Sequence, residues 1–128
     1  MFIRFVTDEC EDDTGLPLGI FRPAYRLCED ASVPEWQRSE LSSVLGWFRT
    51  QLPIPNRFAR NLRPHRVSTG LCWFNEEATD CIRQVCYLVQ IVSDLGVNVR
   101  EIRTERPGYI IYEDQFQVVA EPFAETPR

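Results

Sequence analysis

The strongest constraint on the fold is a broad apolar seam between Ala78 and Leu95. Ala78, Cys81, Val85, Leu88, Val92 and Leu95 recur at helical spacing, and Ile82 and Val89 widen the stripe. Arg83, Gln84 and Asp94 fall outside it. This pattern predicts a helix over residues 76–95 that lies flat on a sheet or against other helices. Asn75 is placed to cap its start, Glu76 and Glu77 complement the helix dipole, and Gly96 is placed to end it.

A second helix is predicted from Ser32-Val33-Pro34-Glu35 to about Leu52. Ser32 and Glu35 have capping-box spacing, and Leu41, Val44, Leu45, Phe48 and Leu52 form the stripe. Pro53 and Pro55 end it. A weaker helix over Leu18–Glu29 rests on Phe21, Ala24, Tyr25 and Cys28, with Pro23 in its first turn. Strand signals occupy the two ends of the chain. Phe2–Thr7 is apolar on both faces, so it is expected to be central or covered on both sides. Val97–Thr104 reads as a strand whose broken alternation between Val99 and Ile102 suggests a bulge. Pro107-Gly108 forms a turn signal before Tyr109–Tyr112; Glu113-Asp114 then turns the chain into Phe116–Ala120. The acidic run Asp8–Asp13 and the proline-broken stretch 53–73 read as loops.

The resulting order, β-α-α-α-β-β-β, implies a two-layer α+β fold. Its mainly antiparallel sheet of about four strands would be a terminal meander joined by the first strand, with helices mostly on one face. The 128 residues suffice for one domain, residues 1–123, with 124–128 as a frayed tail.

Charge is unevenly distributed along this framework. All 14 basic residues are Arg, and the net charge is −5. From Leu41 through Asn75 there is no Asp or Glu, while Arg49, Arg57, Arg60, Arg63 and Arg66 give that stretch +5; the rest of the chain carries −10. The planar guanidinium fork matches carboxylate and phosphate oxygens. Arg57, Arg60, Arg63 and Arg66 are therefore anion-binding candidates. Their expected partner is an anionic ligand or an acidic protein. The competing reading pairs this loop with the chain's own Asp8–Asp13 run, or with Glu76 and Glu77. Nucleic acid is a less favoured partner, because the negative total charge repels it at long range.

The best guess is accordingly a non-enzymatic cytoplasmic binding or interaction protein. The alternative is a small phosphoester-acting enzyme, of nuclease or phosphodiesterase type. His65 would then be its weak catalytic candidate, because the flanking Arg63 and Arg66 disfavour the charged imidazole and leave a neutral base. Lys-dependent chemistries are excluded because the chain has no Lys. No cofactor is expected. No metal site is expected either: Cys81 and Cys86 are five residues apart on the predicted helix, which turns them roughly 140° from each other. Five irregularly spaced cysteines fit a reducing compartment better than a disulfide scaffold. No uncharged run exceeds ten residues, short of the roughly 18 a membrane helix requires. Trp36 and Trp47 share one helix face, so a homo-oligomer is a further expectation.

Overall fold

A computed structural model describes residues 1–10, 15–54 and 70–128. The elements run in the order β1 (Phe2–Cys10), β2 (Pro17–Gly19), α1 (Phe21–Cys28), α2 (Glu35–Gln51), β3 (Leu71–Asn75), α3 (Thr79–Asp94), β4 (Val99–Thr104), β5 (Tyr109–Glu113) and β6 (Gln117–Glu121). The fold is α+β, as expected, but its antiparallel sheet has six strands.

All three helices pack on one face of this sheet. Ala24 of α1, Leu41, Leu45 and Phe48 of α2, and Val85, Leu88 and Val92 of α3 meet Ile3, Phe5 and Phe74 of the sheet. Each large apolar side chain buried in this way contributes roughly 1.5–3 kcal/mol. Phe48 sits edge-on to Phe21 at 5.0 Å and lies 6.1 Å from Phe74, which fixes α1 and α2 over β3. The opposite face has its own core of Val6, Leu71, Trp73, Ile102 and Val118. None of the described helices contributes to that second core, which accounts for the doubly apolar character of β1.

Several boundaries differ from the sequence expectation. Ser32 does not cap α2: its hydroxyl donates to Asp30 Oδ1 at 2.7 Å, and Pro34 occupies the cap position. Asn75 does not cap a helix beginning at 76. Its Oδ1 accepts from Glu77 N–H at 3.0 Å in a local turn, and α3 starts at Thr79. β1 continues through Asp8 and Glu9 to Cys10, since β2 supplies a partner for that end. β3 arises inside the stretch read as irregular.

The terminal meander is also revised. β5 and β6 form a hairpin, but β4 pairs with β1 over Phe2–Thr7 in an unbroken register. No bulge interrupts β4; the irregularities fall between Val6 and Cys10 and between Ile110 and Tyr112. Within the tail read as frayed, Thr126 is buried, and its Oγ1 donates to the Arg106 carbonyl at 3.3 Å.

Candidate functional site

β1 has two edges and three partners. β4 occupies one edge from Phe2 to Thr7. On the other edge, β3 pairs at Phe2 and Ile3, while β2 pairs from Val6 to Cys10. β2 and β3 must therefore share that edge and diverge at Arg4 and Phe5. The sheet forks there. The last bond on the β2 side runs from Ile20 N–H to the Phe5 carbonyl at 3.1 Å.

A cavity of about 330 Å³ opens at the fork. Strand alternation puts Phe5 and Phe74 on the helix-bearing face, with Arg4 and Trp73 on the other, and all four line it. The cavity consequently lies within the plane of the sheet. Its remaining wall includes Leu52, just past the end of α2, and Gly70, just before β3.

The polar groups at the cavity come from short sequence signals. Arg4 interrupts the apolar run of β1 and is only 8% exposed, opposite Ile102 of β4. Its Nη2 donates to the Pro17 carbonyl of β2 at 3.3 Å. Arg remains protonated even when buried, so the cavity wall carries a permanent positive charge. Trp73 is 1% exposed, and its indole N–H has no hydrogen-bond acceptor among the described residues. Cys72 is exposed as a residue, yet protein surrounds its sulfur closely enough that desolvation pushes the thiol up, against the lowering effect of Arg4. It is thus a neutral thiol at neutral pH rather than an activated nucleophile.

A polar brace holds the helix end beside the cavity. Gln117 Nε2 donates to the Pro53 carbonyl at 2.7 Å and to Asp114 Oδ2 at 3.2 Å. Asp114 also accepts from the Tyr112 hydroxyl at 2.7 Å and from the backbone N–H groups of Phe116 and Gln117 at 2.8 and 3.0 Å. Desolvation raises the Asp114 carboxyl, but these donors outweigh it and hold the group below the ordinary carboxylate range. Asp114 is thus a turn and bracing residue. Nearby, burial together with the Asp114 and Asp80 charges pushes the Cys81 thiol up to about 11.

Arg57, Arg60, Arg63, Arg66 and His65 lie outside the described residues. Their flanks are described: Leu52 and Gly70 both border the cavity. Three of the acids named as internal partners for this segment have other contacts. Glu9 takes Arg26 in a two-point ion pair at 2.8 and 3.0 Å, Asp8 accepts from Asn98 at 3.1 Å, and Glu76 meets the chain's amino terminus at 3.6 Å. Arg49 lies over the Tyr25 ring at 6.0 Å. Among the described residues there is no cluster of three or more His, Cys, Asp or Glu suited to a metal ion, and no helix long and apolar enough to cross a membrane.

Sequence reasoning missed Arg4 as a cavity residue; the signal for it was a lone Arg inside the apolar run Phe2–Val6. No protein-family model, curated protein or solved structure matches this chain.

Proposed function

We propose that the chain is a non-enzymatic binding protein for an acidic partner, contacted through Arg57, Arg60, Arg63 and Arg66. One juxtaposition carries this reading. The described residues on either side of the arginine segment end at Ile54 and resume at Gly70, and Leu52 and Gly70 border a cavity that Arg4 also lines. Along the sequence, positive charge is concentrated in this segment of a chain whose total is −5. Cytoplasmic residence is part of the same proposal, supported by five cysteines that are all free thiols.

The test is titration with an oligo-glutamate peptide at several salt concentrations. Arg60→Ala combined with Arg63→Ala should weaken binding by about tenfold and flatten its salt dependence. Unchanged affinity in the double variant would overturn the proposal. Phosphodiester hydrolysis that disappears in His65→Ala would replace it with the enzymatic alternative. Light scattering on the eluted protein reads whether a second copy is a partner.

A further inference from the structure

We propose that the outer edge of β4 is the contact surface for a second copy of this chain, which adds its own β4 antiparallel across a two-fold axis at Ile102. This goes beyond the arginine-segment reading and does not depend on it.

β4 borders the sheet. It pairs with β1 over Phe2 to Thr7, and no strand among the described residues lies on its other side. An unpaired strand edge presents a row of backbone N–H and C=O groups to any chain able to continue the ladder. Such edges are commonly protected by a bulge or a proline. The strand at the far border, β5, has this protection: its register with β6 shifts between Ile110 and Tyr112. β4 has neither a bulge nor a proline, and its register with β1 is continuous.

Charge selects the occupant, because the β4 edge is complementary to itself. Glu101 and Arg103 stand opposite Phe5 and Ile3 of β1, so both lie on the helix-bearing face. Their side chains are 43% and 50% exposed, and Arg103 Nε donates to Glu101 Oε2 at 3.2 Å. Antiparallel pairing about Ile102 sets Glu101 of each copy opposite Arg103 of the other. The four side chains then form a square in which every neighbour, along or across the strands, carries the opposite charge. A two-fold axis perpendicular to the sheet keeps the helices of both copies on one face, so the register changes only in steps of two residues. A step in one direction sets Glu101 against Glu101, and a step in the other sets Arg103 against Arg103. Like charges directly opposite each other destabilise a strand pair. The charges therefore fix the register, while the added backbone ladder supplies most of the affinity, since exposed ion pairs contribute little. Both copies use the same strand, so the contact closes at two.

The test is sedimentation of the full chain over a range of concentrations. The native chain should dimerise with a Kd in the micromolar range. Arg103→Glu sets like charges opposite each other at two symmetric places and should weaken the dimer by about tenfold or more; Glu101→Arg should do the same. Combining the two substitutions restores opposite charges and should return the affinity to within about threefold of the native value. If any variant does not fold, amide exchange on the native chain decides: β4 amides that do not bond to β1 should gain protection as concentration rises. A native chain that stays monomeric at about millimolar concentration, or β4 exchange that ignores concentration, overturns the proposal. So does unchanged affinity in folded single variants, or a folded double variant that does not recover the dimer. Loss of the dimer in the Arg60→Ala, Arg63→Ala double variant would place the contact on the arginine segment and likewise overturn it. Retention there supports the β4 contact whether or not that variant still binds oligo-glutamate, so the two proposals fail separately.

Discussion

The side-chain amide of Gln117 donates to the carbonyl of Pro53 at 2.7 Å, joining β6 to the end of α2 across 64 residues of sequence. Gln117 is buried, and its amide is shared with Asp114, so truncation leaves the Pro53 carbonyl without this donor. Gln117→Ala should cost about 1–3 kcal/mol in denaturant unfolding. It should also loosen the exit of α2, read as faster amide exchange around Leu52. A change below about 0.5 kcal/mol, within the usual scatter of neutral surface substitutions, would remove the brace from the account.

Asp114 makes stability depend on acid. Its folded carboxyl is held below the ordinary value near 3.8, so its contribution is complete above that value and is lost as pH falls through the folded one. Asp114→Asn should lower stability at neutral pH by about 1–3 kcal/mol, because an amide cannot reproduce a carboxylate that accepts from several donors. The same variant should show a shallower loss of stability on acidification than the native chain. Parallel acid limbs in the two proteins would contradict the depressed carboxyl.

Gly108 and Gly46 should respond to alanine in opposite directions. Gly108 adopts φ +132°, and a Cβ built there collides with the backbone of Glu121 and Pro122. Gly108→Ala should destabilise the β5–β6 hairpin by about 2 kcal/mol or more. Gly46 lies inside α2, where the nearest atom to an added Cβ is Arg49 Nη2 at 3.8 Å. Gly46→Ala should stabilise by about 0.5–1 kcal/mol. Thermal unfolding of the two variants checks both signs.

The exposed pair Arg26–Glu9 should contribute little. Both side chains are more than half exposed, although the hydrogen bond from Arg26 lowers the Glu9 carboxyl. Glu9→Gln should change stability by less than about 1 kcal/mol, with the difference fading at high salt. A larger, salt-independent loss would mean that the β1 extension to Cys10 depends on this pair.

The sequence made the helices legible and the sheet topology only partly so. The stripes of α2 and α3 are local and repeat over several turns, so periodicity alone located Leu41, Leu45, Val85 and Leu88 in the core. β3 escaped because Leu71 and Trp73 face one core while Phe74 faces the other, which erases alternation in a five-residue strand. β2 has three residues, too few for any periodic signal. The pairing of β4 with β1 rather than β5 joins chain segments far apart in sequence, and no local pattern encodes it. The charge segregation was plain in the sequence. The fork was not, because it depends on β2 and β3 sharing one edge of β1.

Acidic-peptide recognition is tested most directly by following the arginine side-chain N–H signals during titration with oligo-glutamate. The signals of Arg57, Arg60, Arg63 and Arg66 should move together, and the affinity should fall as salt rises. Arg26, Arg103 and Arg106, already paired with Glu9, Glu101 and Glu125, should stay in place. Movement confined to those paired arginines, or binding insensitive to salt, would contradict the assignment.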